Sequence, residues 1–214
     1  MFSLKGRVAV VTGASSGLGY QMAKGFAGQG ADVVIMARRL ERLEKNAEEI
    51  RAMGVRCLPI QCDVTSTEQV EKAAERVIKE FGKVDILVNN AGGSRNAGVL
   101  DMTDEDWEFT INTDLTSVFK VTRAFGKYMV ERRYGRIINI ASIFGQVGNT
   151  AINTIAYHTA KGGVVNFTRA VAAELAKYNI TCNAISPGYF ETELTKDTLD
   201  TEEFTQFMKA TVPL

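Results

Sequence analysis

Tyr157 and Lys161 carry the side chains in this sequence that are best suited to moving a proton. They are spaced i, i+4, so a helix would place both on one face with Cβ atoms about 5 to 6 Å apart. A free phenol ionises near pH ~10, and an adjacent ammonium group stabilises the phenolate. The pair therefore predicts a general acid or base acting on an alcohol or carbonyl oxygen.

Two more polar residues fall near this pair. Ser142 closes a β-branched run, and its hydroxyl is predicted to hold a substrate oxygen beside Tyr157. Asn112 lies between the fourth and fifth predicted strands and is predicted to join a water-mediated relay to Lys161. Each residue alone is weak evidence, because such pairs and serines are common on surfaces. The inference depends on their order and on the edge of the sheet they share.

The glycine-rich segment Thr12 to Gly19 follows the first predicted strand and opens a helix. Glycines allow a tight turn and a close backbone approach to a pyrophosphate, and the positive end of the helix faces that anion. A plain turn would have the same composition. The strand, loop and helix context nevertheless favours nucleotide binding.

The second strand ends in Ala37 and is followed by Arg38 and Arg39. Sites specific for NAD usually place a carboxylate there for the ribose 2′-hydroxyl, whereas an arginine fork suits a 2′-phosphate. The pattern favours NADP(H) over NAD(H). The alternative is that the two arginines merely begin a charged, solvated helix.

Polar residues follow the third and fourth strands as well. Asp63 would accept a hydrogen bond from the adenine amino group, or would instead cap the next helix in competition with Thr65 and Ser66. The segment Asn89 to Gly92 would place amides and a close-approach glycine beside the cofactor, although a turn explains its composition too.

The elements that must position these residues alternate between β-branched and amphipathic runs, which predicts a doubly wound parallel α/β sheet with helices on both faces. In such a sheet, ligands lie beyond the carboxyl ends of the strands. The predicted strands are 7–12, 32–37, 55–62, 84–89, 136–141 and 180–186, and the predicted helices are 17–29, 40–53, 67–81, 115–133 and 155–178.

Composition excludes several classes of protein. The 25 basic residues balance the 25 acidic ones, so no overall charge favours nucleic acid or an anionic membrane. The three cysteines form no CxxC motif and His158 is the only histidine, which argues against zinc and structural disulfides. Without a secretory h-region or a membrane span, the chain is expected to be cytoplasmic.

In their order, these motifs resemble the short-chain dehydrogenase/reductase family over residues 3 to about 192. The segments that carry the resemblance are Thr12 to Gly19, Cys62 to Val64, Asn89 to Gly92, Asn112, Ser142, Tyr157 to Lys161 and Pro187-Gly188. The resemblance implies one Rossmann-type domain over 1–214, hydride transfer without a metal, and a homotetramer or dimer.

The resemblance also implies roles for individual residues. Asn112, Ser142, Tyr157 and Lys161 would form a catalytic tetrad, in which Tyr157 exchanges the proton and Lys161 also holds the nicotinamide ribose. Pro187, Gly188, Phe190 and Thr192 would meet the nicotinamide carboxamide. The full set of expected cofactor contacts is Gly13, Ser15, Ser16, Gly17, Leu18, Gly19, Arg38, Arg39, Asp63, Val64, Asn90, Ala91, Gly92, Tyr157, Lys161, Pro187, Gly188, Phe190 and Thr192.

The substrate remains open between several small molecules. The segment Pro187 to Leu194 is similar to gluconate 5-dehydrogenases, which suggests a sugar acid or polyol, with Arg95 as a partner for its carboxylate. The whole chain is also similar to 3-oxoacyl-carrier-protein reductases, and hydroxysteroid-type dehydrogenases are a further alternative. In a different class, a non-catalytic dinucleotide sensor would keep the fold without the reaction.

Two expectations concern the rest of the chain. Relatives usually continue beyond the equivalent of Leu214 with another helix and a seventh strand, which this sequence is expected to lack, and 189–211 is expected to form a lid over the substrate. His158 points about 100° away from Tyr157 on a helix, so it is expected to line a helix contact or an interface and to take no part in proton transfer.

Overall fold

The computed structural model describes residues 2–148, 152–192 and 201–211. Its centre is a parallel six-stranded sheet in the order β3-β2-β1-β4-β5-β6. The strands are β1 (Val8–Thr12), β2 (Asp32–Ala37), β3 (Cys57–Gln61), β4 (Ile86–Asn89), β5 (Gly135–Ile140) and β6 (Ile180–Ile185). Because the strand order reverses beside β1, a crevice opens between the carboxyl ends of β1 and β4.

Helices cover both faces of the sheet. They are α1 (Gly17–Gly28), α2 (Leu40–Arg51), α3 (Thr67–Phe81), α4 (Asp104–Ile111), α5 (Ser117–Glu131), α6 (Ile155–Leu175) and α7 (Glu202–Thr211). A π-helical turn, Asn112–Thr116, joins α4 to α5, and short 3-10 turns occur at Ile143–Gly145 and Ala176–Tyr178. None of the described helices is long and apolar enough to cross a membrane.

Alternate residues of the central strands supply two separate cores. Val8 and Val10 face the core beneath α3, α5 and α6, while Ala9 and Val11 face the core beneath α1 and α2. Burial on both faces explains why these strands are continuously apolar. The predicted doubly wound sheet is confirmed, and the strand predictions are wrong only at their ends, by one or two residues.

A buried line of polar side chains runs through the first of these cores. Asn89 Nδ2 donates to Asn139 Oδ1 (2.8 Å) and to Thr122 Oγ1 (2.9 Å), and Asn139 Nδ2 donates to Thr168 Oγ1 (2.9 Å). Asn89 and Asn139 are direct neighbours in the register of β4 and β5. We call this line the amide ladder; it ties β4, β5, α5 and α6 together.

The structure adds elements that the sequence analysis did not predict. Helix α4 precedes the helix predicted over 115–133, the π-helical turn overlaps its first two residues, and α7 lies within the segment expected to form a lid. Among the residues of α4, only Thr110 is buried, so the sequence has almost no apolar periodicity from which this helix could be predicted.

Candidate active site

The glycine-rich loop between β1 and α1 packs directly against the chain that follows β4. Gly13 has φ +66°, and a Cβ there would lie 2.7 Å from Ala91 Cα. A Cβ on Gly19 would collide with the carbonyl oxygen of Gly13 and with the Asn90 amide. Side chains at these two positions would fill the space in which the loop folds back, so the loop keeps a bare backbone at the positive end of α1.

Asn90 holds this loop in place. Its Nδ2 donates to the carbonyl oxygens of Thr12 (3.0 Å) and Gly13 (3.3 Å), while Thr12 Oγ1 accepts from the backbone N–H groups of Asn90 and Ala91. Both amide hydrogens of Asn90 are therefore used within the protein, and its predicted contact with the cofactor stays a prediction. From the opposite side, Asn46 Nδ2 donates to the carbonyls of Ala14 (3.1 Å) and Ser15 (3.2 Å).

Arg39 extends over the start of the same loop. Its Nη2 donates to Ser15 Oγ and to Ser16 Oγ, both at 3.1 Å. Two hydroxyls and a guanidinium thus converge where β2 ends without a carboxylate, which is the chemistry expected of a phosphate site. Arg38 is exposed beside it, with its carbonyl oxygen accepting from Gln61 Nε2 at 2.9 Å.

Asp63 follows β3, two strands away from β1 in the sheet. Its Oδ1 accepts from Thr65 N (2.9 Å) and Thr65 Oγ1 (2.7 Å), and the side chain that caps α3 is Ser66. Burial acts to raise the pKa of Asp63, but the bonds from Thr65 and the charges of Arg38 and Lys120 outweigh it, so the pKa lies below its usual value. The carboxylate is thus a charged acceptor near neutral pH. Its neighbour Val64 is buried in the core.

The segment after β6 folds over the loop. Pro187 O accepts from Ile143 N at 3.2 Å, which ties this segment to the end of β5, and the Thr192 methyl group lies 3.6 Å from where a Gly17 Cβ would be. A largely apolar cavity of about 350 Å³ lies beneath it, lined by Leu18, Met22, Ile140, Ile185, Ser186, Pro187, Gly188 and Phe190. The predicted residues Pro187, Gly188 and Phe190 therefore border one cavity with the start of α1.

Tyr157 and Lys161 lie on one face of α6, as their spacing predicts. Lys161 Nζ is 5.4 Å from the centre of the Tyr157 ring and donates to Ile140 O at 3.1 Å. The lysine is almost fully buried, while Tyr157 is half-buried. An ammonium group is thus fixed beside the phenol at the end of β5.

Ser142 lies two residues beyond Ile140 and is buried. Its Oγ accepts from Phe144 N at 3.2 Å, which begins the 3-10 turn and leaves the hydroxyl hydrogen available for another acceptor. The ring of Phe144 then meets the ring of Tyr157 edge-on, with centroids 6.3 Å apart. The structure therefore brings Ser142, Tyr157 and Lys161 to one place.

Asn112 does not join them, which corrects its predicted place beside Lys161. It is exposed in the π-helical turn, and two residues later Asp114 faces inward, with Oδ2 3.7 Å from Lys161 Nζ. Residues two apart on a helix lie on nearly opposite sides. The sequence held a signal for this, since Asp114 shares a helical face with the buried Val118, Val121 and Phe125.

Arg95 is a second correction. Its Nη1 pairs with Asp106 (2.9 Å) and Glu105 (3.2 Å), and its guanidinium lies 4.5 Å from the centre of the Phe109 ring. These contacts hold Arg95 against α4, where its guanidinium is already paired with the carboxylates of Glu105 and Asp106. The predicted anchor for a sugar-acid carboxylate is therefore engaged elsewhere.

His158 makes the helix contact that was expected of it. The imidazole stacks on Phe144 with centroids 4.7 Å apart, and Nδ1 lies 2.9 Å from both Thr154 Oγ1 and Thr154 O.

Nothing in the sequence singled out Asn46, whose amide supports the glycine loop from within α2, because an asparagine in a charged helix usually faces solvent.

Comparison with known proteins identifies relatives of this architecture. The family model for short chain dehydrogenase matches residues 7–203. The chain is 35% identical to the 5-keto-D-gluconate 5-reductase of Escherichia coli K12, covering 100% of this chain and 83% of the relative. It is 38% identical to a 3-oxoacyl-[acyl-carrier-protein] reductase of Synechocystis, covering 97% and 83%.

A solved structure with the same fold carries ligands. It is a gluconate 5-dehydrogenase from Burkholderia cenocepacia J2315, in complex with NADP and tartrate. The TM-score is 0.92 at 35% identity, and the match covers 97% of this chain and 80% of that one.

Proposed function

Because the chain belongs to the short-chain dehydrogenase family, we propose that this oxidoreductase uses NADP(H) to interconvert a carbonyl group and a secondary alcohol, with a polyol or sugar acid as substrate. The observation that carries the proposal is the buried Lys161 ammonium beside the Tyr157 ring, next to Ser142. A phenol beside a fixed positive charge is suited to proton exchange with an alcohol or carbonyl oxygen.

The residues around the crevice fit NADP(H). The bare backbone at Gly13 and Gly19 leaves room for a pyrophosphate at the positive end of α1. Arg39, with Ser15 and Ser16, offers a guanidinium and two hydroxyls to a 2′-phosphate, and no carboxylate follows β2 to favour a free ribose hydroxyl. Lys161 would hold the nicotinamide ribose, and the cavity beside Pro187 and Phe190 would take the nicotinamide ring.

When bound, the dinucleotide supplies or accepts a hydride. In the reducing direction, the carbonyl carbon gains that hydride while Tyr157 gives its hydroxyl proton to the carbonyl oxygen, so an alcohol is formed. The Ser142 hydroxyl donates to the same oxygen, because its own oxygen already accepts from Phe144 N. Lys161 stabilises the phenolate that remains, and in the oxidising direction the phenolate takes the proton back.

The substrate class is supported by the relatives. The E. coli protein is named for 5-keto-D-gluconate and the Burkholderia protein for gluconate. The similarity to the Synechocystis reductase favours a 3-oxoacyl thioester as the second candidate. Since Arg95 is held by Glu105 and Asp106, we expect its replacement by Ala to leave the KM for a sugar acid nearly unchanged.

Absorbance of NADPH tests the proposal directly. Purified protein is mixed with NADPH and 5-ketogluconate, a ketose or an acetoacetyl thioester, and Tyr157→Phe is compared with Tyr178→Phe, whose ring lies before β6 at the opposite edge of the sheet. We expect kcat to fall roughly a hundredfold or more in Tyr157→Phe only, because general acid catalysis contributes about 10² to 10⁴.

The competing class is a dinucleotide sensor without chemistry. A sensor would bind NADPH and show equally negligible turnover in both tyrosine variants and in the unmodified protein. Turnover of the thioester alone would move the substrate to the second candidate and leave the assigned roles of Ser142, Tyr157 and Lys161 in place.

A further inference from the structure

The turn that follows β3 is tied to a distant helix by one lysine. Lys120 lies in the first turn of α5, and its Nζ donates to the carbonyl oxygen of Thr65 at 2.5 Å, 55 positions away along the chain. The other described hydrogen bonds of residues 63–66 stay within residues 63–70. Within the described part of the chain, Lys120 is therefore the hydrogen-bonding partner that another element supplies to this turn.

The turn holds the Asp63 side chain in one orientation. Oδ1 accepts from both Thr65 N and Thr65 Oγ1, and the backbone N–H of Asp63 donates to Gln69 Oε1 at 2.9 Å. Among the described residues, no hydrogen bond is made to Oδ2. A carboxylate oxygen accepts hydrogen bonds only, so what Asp63 offers to a ligand is the acceptor Oδ2.

Lys120 also acts on this carboxylate through its charge. Burial works to raise the pKa of Asp63, whereas the bonds from Thr65 and the charges of Arg38 and Lys120 bring it below its usual value. Arg38 is exposed, so water and salt screen its charge. Lys120 is half-buried and is held by the Thr65 carbonyl, which makes it the fixed cation of the two.

The bond from Lys120 connects the two halves of the sheet. Helix α5 belongs to the connection from β4 to β5, whereas the turn at Asp63 ends a strand of the other half, β3-β2-β1. A dinucleotide binds across the carboxyl ends of both halves in a sheet of this kind. Neither Thr65 nor Lys120 is fully buried, so water is an alternative partner for both groups and the core does not require this bond.

We propose that Lys120 is a positioning residue for the adenine end of the cofactor: by holding the Thr65 carbonyl, it fixes the turn so that Asp63 Oδ2 accepts from the exocyclic amino group of adenine. The proposal rests on the proposed function, because it requires an adenine dinucleotide as cofactor. Without Lys120, the turn would keep its internal bonds, but β3 and α3 alone would set its place at the edge of the sheet.

A dinucleotide with an altered base separates adenine recognition from general affinity. Deamino-NADPH carries hypoxanthine, which has a carbonyl oxygen where adenine has its amino group, and it shares its phosphates and nicotinamide with NADPH. That oxygen cannot donate to Asp63 Oδ2. We expect the unmodified protein to bind NADPH roughly tenfold more tightly than deamino-NADPH, as for one hydrogen bond to a charged group.

Lys120→Met removes the charge and the hydrogen bond but keeps most of the side chain's length. Fluorescence titration should show NADPH affinity falling roughly fivefold, the contribution of about one hydrogen bond, with little change for deamino-NADPH. Lys120→Arg can still donate to Thr65 O and should restore the preference for adenine. Lys127→Met, at an exposed position of the same helix, is the matched control and should keep it. If Lys120→Met weakens both dinucleotides by the same factor, or neither, the lysine has no part in reading the base and the proposal fails.

Asp63→Asn tests whether Lys120 acts through this side chain. The amide keeps an oxygen for Thr65 and presents an N–H₂ group in place of Oδ2, which suits the hypoxanthine oxygen, so the preference should turn towards deamino-NADPH. Adding Lys120→Met should weaken this reversed preference as well, because the lysine holds the turn whichever side chain reads the base. A shift in the same direction in both backgrounds would overturn the positioning role.

These titrations also separate the inference from the proposed function. A protein that shows the expected preferences and yet turns over no carbonyl would refute the proposed reaction, while the role of Lys120 stands. Binding of neither dinucleotide by the unmodified protein would refute both.

Discussion

At the scale of single residues, types and spacings in the sequence predicted which side chains come together but did not always assign their neighbours. The i, i+4 spacing placed Tyr157 and Lys161 on one face because helical geometry leaves no other choice. Asn112 and Asp114 are only two positions apart, yet Asn112 is exposed and Asp114 is buried. The prediction chose the wrong one of the two because it did not establish which face of the helix is turned inward. Arg95 was misjudged because competing carboxylates ten and eleven residues away cannot be seen without the fold.

The choice between the two arginines after β2 belongs to this scale. Both were predicted to meet a 2′-phosphate, and Arg39 is the one whose guanidinium already contacts Ser15 and Ser16. We expect Arg39→Ala to weaken NADPH binding about tenfold or more, since a hydrogen bond to a charged group contributes roughly 1.5 to 3 kcal/mol. NADH binding should change little.

Fluorescence titration with each dinucleotide measures this difference. Arg76→Ala removes one positive charge from the exposed face of α3 and is the control for general electrostatics. Equal weakening of NADPH and NADH in Arg39→Ala would remove the reason for assigning a phosphate to this site.

At the scale of elements, strong periodicity was predictive and weak periodicity was not. The four-residue apolar run Val8 to Val11 indicated a strand covered on both faces. Helix α4 was missed because its exposed acidic residues form no apolar stripe, and the π-helical turn was missed because the sequence carries no marker of a widened turn. Only the packing of α4, α5 and α6 around Asp114 defines that turn.

A chain of aromatic rings connects helix α7 to Tyr157. Phe204 is buried against Tyr189, with centroids 5.0 Å apart; Tyr189 meets Phe144 at 6.0 Å, and Phe144 meets Tyr157 at 6.3 Å. All these contacts are edge-on, the geometry that aromatic pairs favour. The expectation of a lid over 189–211 falls partly on residues 193–200, which lie outside the described part of the chain.

Truncating the outermost ring tests whether α7 is anchored by this chain. Phe204→Ala should cost roughly 3 kcal/mol of local packing and accelerate hydrogen exchange in α7 by about a hundredfold, with little change in the exchange of β1 and β4. Gln206→Ala, on the exposed side of the same helix, should leave exchange as it was. If both variants behaved alike, the ring contacts would have no part in holding α7.

At the scale of the whole molecule, the two edges of the sheet have opposite roles. The carboxyl edge brings together Ser142, Tyr157 and Lys161, while the amino edge carries a charge cluster around the fully buried Asp85. This carboxylate lies 3.1 Å from Lys83 Nζ, 3.3 Å from Arg7 Nη1 and 3.4 Å from Arg132 Nη1, and it accepts from Val8 N at 3.0 Å. Burial alone would raise the pKa of Asp85, but the Val8 N–H and the charges of Lys83 and Arg132 lower it below the usual value.

The lowered pKa makes the stability of the molecule depend on pH in a defined direction. The ionised native carboxylate contributes stability above the pKa of the unfolded aspartate, and that contribution is lost as the pH falls through the lower, native value. Asp85→Asn should therefore cost roughly 2 to 4 kcal/mol of unfolding free energy near neutral pH, and the difference between the two proteins should begin to shrink only as the pH falls below about 4. Urea denaturation at several pH values measures both quantities, and a difference that is independent of pH would contradict this account.

The amide ladder determines the register of β5 against β4, which the pattern of apolar residues alone leaves open. Sliding β5 along β4 by two positions would return every inward side chain to the same face, so the alternation of apolar and polar residues alone would also accept this misaligned parallel pairing. This misalignment would leave the Asn89 amide without its partner Asn139. A buried amide without a hydrogen-bond partner costs about 1 to 3 kcal/mol. The amide ladder therefore fixes the register of β5 against β4. Because Ile140 and Ser142 lie at the end of β5, this register also fixes how far along the cleft the proposed site lies.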